Sequence, residues 1–304
     1  MLKLGVILGT NASGKSDLGI RLAKHFGGEI VSADSRQVYR GLDLGSGKIT
    51  PAQAATVRHH LIDVADVSEY YSLAHYQRAA YSAIDSISSA GKLPFLVGGT
   101  GLYISAIVEG YQLVDVPPND PLRAELESLP LTQLVERLEK SDPDAASRID
   151  KGNRRRLIRA IEIASAGYAN SAAHTNSPRY NCLQLGLTWP REILEERIKQ
   201  RLRDRLASGM IDEVAGLRSC GVSDIRLDKL GLEYRYIARY LRGDLRTVDE
   251  LFTQLEIAIR QFAKGQLTWF KRDSGIIWLD PFKDFFQEAC HRIREWEGKN
   301  PSAP

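Results

Sequence analysis

Gly9-Thr10-Asn11-Ala12-Ser13-Gly14-Lys15-Ser16 follows directly on the apolar run Leu4-Gly5-Val6-Ile7-Leu8 and reads G-x-x-x-x-G-K-S. A strand, a glycine-bracketed turn and a helix opening near Asp17 predict a phosphate-binding loop at the carboxyl end of a parallel strand. In such a loop Gly9 and Gly14 let the backbone curl so that successive N–H groups point inward. Lys15 reaches phosphoryl oxygens, and the Ser16 hydroxyl is placed to join the ligands of a Mg²⁺ ion. The helix that follows adds its positive end. The loop does not choose its ligand: ATP, GTP, a nucleotide monophosphate or a diphosphate ester all suit it.

Outward from this loop, the first hundred residues alternate short apolar strands with amphipathic helices, the pattern of an α/β fold with a helix-covered parallel sheet. Strands are expected at Leu2 to Leu8, Glu29 to Ser32, His60 to Asp63 and Leu93 to Val97, with a helix from Ser72 to Ser89. Three segments then meet at one crevice: the Gly9 loop, the Asp34 segment and the Gly98 to Gly101 turn. Val116-Pro117-Pro118-Asn119-Asp120-Pro121 marks a boundary, and the next sixty or so residues carry helical patterns only. The expected organisation is a P-loop NTPase-like core formed by residues 1–115 and 181–304, with a helical insertion at 116–180 that ends in a Ser/Ala/Asn-rich linker from Gly167 to Pro178. Strand character resumes at Cys182 to Leu187. Helices follow at Arg191 to Arg205 and Val248 to Phe270, then a last strand at Gly275 to Leu279 and a closing helix.

The 304 residues are 43% hydrophobic and 26% charged, ordinary for a globular chain. With no secretory or bilayer-spanning run in the sequence, a soluble, cytoplasmic protein is expected. For the same reason the formal glycosylation sequon Asn11-Ala12-Ser13 is set aside. Cys182, Cys220 and Cys290 are odd in number and without a C-x-x-C pair, so they suggest neither disulfides nor zinc and are expected to be buried apolar residues. Nothing requires an obligate protein partner, and a monomer suffices.

A net charge of +3 does not by itself announce a nucleic-acid partner. Its distribution says more. Lys151 to Arg159 holds five basic residues and no acid, and opens a helix with a concentrated cationic face. The alternative is a solvated helix end. In the second basic helix Arg197, Arg201 and Arg205 recur at i, i+4 and i+8 and so share a face. Glu192, Glu195, Glu196 and Asp204 are interleaved, so a ladder of surface salt bridges is the competing reading there. Asp34, at the end of the second strand, suits a general base, a partner of the metal, or the N-cap of a short helix beginning near Ser35.

Four segments occur together and in order: G-T-N-A-S-G-K-S, S-A-D-S-R-Q-V-Y-R-G-L-D-L-G (Ser32 to Gly45), G-G-T-G-L-Y-I (Gly98 to Ile104) and R-L-I-R-A-I-E-I (Arg156 to Ile163). With Gly231-Leu232-Glu233-Tyr234-Arg235 and the run from Ile259 to Phe270, they make the chain resemble the tRNA dimethylallyltransferases from residue 3 to 272. The resemblance implies transfer of a dimethylallyl group from dimethylallyl diphosphate to the exocyclic N6 amine of the adenosine 3′ of the tRNA anticodon. It implies Mg²⁺ as cofactor, and tRNA and dimethylallyl diphosphate as partners. It makes Asp34 the base, sets Thr100 beside the reacting centre, and brings Arg197 and Arg201 to the departing diphosphate, which Gly9 to Ser16 hold. It assigns Asp34, Ser35, Arg36, Gln37 and Thr100 to the target nucleoside, and Arg123, Arg155, Arg156, Leu157, Ile158 and Arg159 to the rest of the tRNA.

The chain departs from the family pattern in places. Thr10 stands where Pro is more usual, and Asn11 and Ser16 where Thr is. Gly45-Ser46-Gly47-Lys48-Ile49-Thr50 replaces G-T-A-K-P-T, so Gly47 takes the place of an alanine. Asp150 to Arg154 lacks H-P-N-D, and Gly167 to Asn170 replaces T-G-K-P. A free-nucleotide isopentenyltransferase shares the loop and base, but the basic insertion argues for tRNA, whose phosphates need contacts far from the chemistry. A P-loop kinase is the rival of another class, with Asp63 as its only candidate metal-orienting acid and the Arg154 to Arg159 run as a lid.

Overall fold

The structure is a computed structural model that describes residues 1–168 and 176–298. Two compact units divide the chain: one comprises Met1–Tyr71, Arg78–Ile104 and the chain from Tyr180 onward, the other Ser72–Gln77 and Ser105–Arg179.

In chain order the elements are β1 (Leu2–Gly9), α1 (Lys15–His25), β2 (Glu29–Ala33), α2 (Pro51–Ala54), β3 (His59–His60), α3 (Leu73–Ser89), β4 (Pro94–Gly98) and α4 (Gly101–Val108). Then come α5 (Asp120–Ser128), α6 (Leu131–Ser141), α7 (Pro143–Arg148) and α8 (Arg154–Ser165). The chain continues with β5 (Tyr180–Leu187), α9 (Arg191–Ala207), α10 (Met210–Ser219), α11 (Asp224–Leu230), α12 (Leu232–Leu241), α13 (Val248–Phe270), β6 (Ile277–Trp278) and α14 (Phe285–Gly298).

In the first unit the strands form one parallel sheet in the order β3-β2-β4-β1-β5-β6. β1 is central: Val6 pairs with Leu96 on one side and Gln184 on the other. Continuous apolar runs such as Leu4 to Leu8 belong in such a strand because helices cover both faces. One helix layer packs Leu18, Leu22 and Ala23 of α1 against Ile7, Phe95 and Val97, with Ala289, Cys290, Ile293 and Trp296 of α14 in the same core. This is the expected P-loop NTPase-like α/β architecture, with β1 delivering the phosphate loop at its carboxyl end.

Two expected strands are shorter than the sequence suggests. β3 stops at His60 because Leu61 and Asp63 adopt left-handed backbone, φ 63° and 56°, which no strand tolerates. β6 is held to Ile277–Trp278 by a turn in which Asp273 Oδ1 accepts from the Gly275 N–H at 2.8 Å. The short helix expected near Ser35 is a turn, because the chain leaves at Tyr39 to bridge Ala65 instead. Of the cysteines only Cys290 is buried; Cys182 is half-buried and Cys220 exposed, at the C-cap of α10.

The second unit has its own core, in which Leu126, Leu134, Leu138, Ala145, Leu157 and Ile161 interlock. Its helices are started by side chains: Asn119 caps α5, Asp142 caps α7 and Asn153 caps α8, each accepting the N–H three residues on.

Candidate active site

The phosphate loop is built by packing as much as by glycine flexibility. Gly14 needs its φ of 98° and caps α1 without a side chain, so no side chain occupies the helix's first N–H groups. Gly9 is required for another reason: a Cβ there would overlap the Leu187 carbonyl of the neighbouring strand. Ala12 takes a left-handed φ of 60° without being glycine. Thr10 and Ser13 have buried hydroxyls that make no hydrogen bond among the described residues.

Outward-facing atoms of the loop are fastened by distant residues. Gln266 on α13 accepts from the Asn11 N–H at 2.8 Å and donates to Gly99 O at 2.9 Å, tying the β1 loop to the β4 turn. Trp189 Nε1 donates to Ser13 O at 2.9 Å, and Arg197 Nε to Ala12 O at 2.8 Å. The Arg197 guanidinium also lies 4.8 Å from the Trp189 ring, a cation–π contact. The Asn11 N–H is thus engaged already, and Arg197 holds the loop from outside. Neither Gln266 nor Trp189 was singled out by motif reading; Gln266 is visible only as part of the quoted Ile259 to Phe270 run.

Beside the loop lies a cavity of about 950 Å³, lined by Ala12 to Asp17, by the 43–63 segment and by Arg201 and Arg205. Lys15 is buried at its edge, with Nζ donating to Thr10 O at 3.1 Å. Burial, then the positive Arg201, lowers its pKa to about 8 even though Asp34 pulls the other way. Burial, then Arg205, likewise brings Arg201 down to about 10. Cations crowded this closely in a recess await an anion. The salt-bridge ladder of α9 exists, but it is carried by other residues: Arg191 with Glu195 at 2.8 Å and Arg203 with Glu196 at 4.0 Å. Of the α9 cation face, Arg201 and Arg205 line the cavity, whereas Arg197, expected at the departing diphosphate, braces the loop through Ala12 O and does not line it.

Asp34 follows β2, within electrostatic reach of Lys15 and Arg201. Its Oδ1 accepts from the Arg36 N–H at 2.8 Å and from the Gln37 N–H at 3.4 Å, so the capping role is real but serves a turn. Oδ2 accepts no hydrogen bond among the described residues. Thr100 joins the strand ends: its N–H donates to Ala33 O at 3.1 Å, and its Oγ1 accepts from the Ser35 N–H at 3.0 Å. Gln37 Nε2 donates to Gly47 O at 3.2 Å. The three segments expected to converge therefore do so.

The 43–48 loop is shaped by a carboxylate that sequence reading overlooked. Glu213 on α10 accepts from the N–H groups of Asp43, Leu44 and Gly45 and from Tyr234 OH, at 3.2, 2.6, 3.1 and 3.0 Å. Lys48 Nζ bridges Asp43 and Asp63 at 2.6 and 2.5 Å. Asp63 is thereby tied to Lys48 in a left-handed turn beyond the end of β3, not at the end of a buried strand as the metal-orienting acid of a kinase would be.

The second unit sorts the expected tRNA residues into two kinds. Arg123 forms a two-pronged pair with Glu162 at 2.7 and 2.8 Å, and Arg159 donates to Glu162 at 3.4 Å and to Val116 O at 2.9 Å. Arg154 caps the end of α5 through Leu126, Glu127 and Leu129 carbonyls. Leu157 and Ile158 are core residues, at 0% and 6% exposure, because on α8 they fall on the face turned to α6. These five help to hold the unit together, and the burial of Leu157 and Ile158 corrects the expectation that those two side chains present themselves to a ligand. Arg155 and Arg156 are exposed.

The family model described as IPP transferase matches residues 37–273. This chain belongs to that family. Among its relatives is tRNA dimethylallyltransferase 2 of Shewanella sediminis, 43% identical over 95% of this chain and 97% of that one. Another is tRNA dimethylallyltransferase 2 of Trichlorobacter lovleyi, 46% identical over 90% of each. The crystal structure of the full-length tRNA isopentenylpyrophosphate transferase of Bacillus halodurans superposes with a TM-score of 0.73 at 37% identity, covering 98% of this chain and 96% of that one. A eukaryotic dimethylallyltransferase acting on tRNA superposes at 0.80 with 24% identity over 100% of this chain and 82% of that one, a likeness of fold. The IPP transferase match begins at Gln37 and so takes in Thr100, the α9 arginines and Gln266, but not the phosphate loop or Asp34.

Proposed function

We propose that this protein transfers the dimethylallyl group of dimethylallyl diphosphate to the exocyclic N6 amine of the adenosine 3′ of a tRNA anticodon. The observation that carries the reading is the meeting, at the strand ends of one sheet, of a cation-lined phosphate loop with the Asp34 carboxylate and Thr100. Family membership and the names of the relatives support it.

As the allylic C–O bond breaks, its electron pair leaves with the diphosphate. Lys15, Arg201 and the N–H groups opening α1 are fixed where that charge develops. The N6 nitrogen bonds to the allyl carbon and becomes acidic as it does so, and Asp34 takes the proton. A stacked base cannot present N6 to a closed site. The adenosine is flipped from its loop and held by the Asp34 to Gln37 turn and Thr100.

Mg²⁺ fits the recess as an oxygen-bound ion. The Ser16 hydroxyl stands exposed on the cavity beside Lys15, and the described residues contain no cluster of three His, Cys, Asp or Glu to cage a metal. Ser16 and the diphosphate oxygens would hold it, and it would neutralise charge on the leaving group. Arg155 and Arg156 supply contacts to tRNA phosphates.

Incubation with Mg²⁺, dimethylallyl diphosphate and either total tRNA or AMP, followed by digestion and mass analysis, tests the reading. Isopentenylated adenine from tRNA alone is expected; product from AMP alone overturns it.

A further inference from the structure

Gly47, Arg205 and Glu233 interlock at the cavity wall. A Cβ on Gly47 would overlap the guanidinium nitrogens of both Arg205 and Arg201. Gly47 itself sits at φ 65°, in the loop that Glu213 shapes. The space left by its missing side chain is where the two arginines lie. Gly47 is also the residue that replaces an alanine of the family pattern.

Arg205 is nearly buried, at 15% side-chain exposure, yet it lines the cavity. Its partner is Glu233, at 3.7 Å, an ion pair too long for a hydrogen bond. The Arg205 guanidinium makes no hydrogen bond among the described residues, although it carries five donors. A buried guanidinium is ordinarily satisfied. This one is held from behind by a carboxylate, with donors to spare, beside a recess already lined by Lys15 and Arg201. Such donors in a fixed fork match the oxygens of a diphosphate better than they match water.

We infer that Arg205 is a further diphosphate-binding residue, admitted to the cavity by Gly47 and positioned by Glu233. The inference rests on the proposed diphosphate ligand. Because the departing diphosphate carries more charge than the ester, Arg205 binds the released product more strongly than the intact substrate.

Calorimetric titration of the full chain with inorganic diphosphate tests this, using wild type, Arg205→Gln and the double variant Arg205→Gln/Glu233→Gln. The double variant leaves no buried carboxylate unpaired, so folding is preserved if the single change fails. Both are expected to raise the Kd for diphosphate about tenfold, about 1.4 kcal/mol, with tRNA affinity unchanged. A folded double variant whose diphosphate Kd stays at the wild-type value, whatever its melting temperature, makes the pair merely structural and overturns the inference while leaving the proposed reaction standing. Wild type that binds no diphosphate overturns both.

Discussion

Lys15 is where burial and function oppose each other. Its folded pKa, about 8, lies below the unfolded value of 10.5, so folding favours the neutral amine. Its positive charge is present below about pH 8 and is lost above it, whereas stability rises as pH climbs from about 8 towards 10.5. Affinity of the ligand-free protein for inorganic diphosphate is therefore expected to fall as pH passes about 8, and Lys15→Met is expected to abolish that inflection. The same variant should melt at higher temperature than wild type near neutral pH, since it removes a charge buried for the ligand's sake. A calorimetric pH series with thermal melts checks both; a pH-independent Kd and a lower melting point contradict them.

Among the elements, α13 and α8 show what the chain makes legible and what it hides. The strand–loop–helix of β1, the α9 cation face and the bounds of α13 follow from periodicity and from G-x-x-x-x-G-K-S, because each depends on neighbours in sequence. The hydrogen bonds of Gln266 span more than 150 residues, to Asn11 and Gly99, and no local pattern encodes them. Gln266→Leu leaves the Asn11 N–H and the Gly99 carbonyl unpaired. It is expected to cost roughly 2 kcal/mol and to raise KM for the diphosphate substrate more than it lowers kcat; an unchanged KM in a folded variant would show the loop to be self-supporting. On α8 the basic run was legible as charge but not as structure, because the pairing of Arg123 and Arg159 depends on Glu162, only 1% exposed on its side chain. Burial pushes the Glu162 carboxyl up, but Arg123, the Asn119 N–H and Arg159 outweigh it and the net direction is down. The stability it contributes is present above the unfolded carboxylate value and is lost as pH falls through the lower folded value. Glu162→Ala is expected to destabilise the protein by roughly 3 kcal/mol, seen in chemical denaturation, and Arg123→Ala to act mainly on stability rather than on tRNA contact.

For the molecule as a whole, a charge of +3 leaves tRNA binding to a few placed cations rather than to bulk attraction. Of the basic run, Arg155 and Arg156 are exposed and are the residues proposed for that contact. Replacing both by Ala should weaken tRNA binding and lower the slope of log affinity against log salt by about 1.5, with diphosphate binding untouched; an unchanged slope across a salt series would remove them from the interface. The proposed site has two halves, cations to hold the leaving group and the Asp34 carboxylate to take the proton. Single-turnover transfer to tRNA by Asp34→Asn, with both substrates' affinities measured alongside, tests it most directly. Affinities close to wild type and a rate reduced by a factor of about 10² to 10⁴ are expected. A rate near that of wild type would mean that another group accepts the proton, and would contradict it.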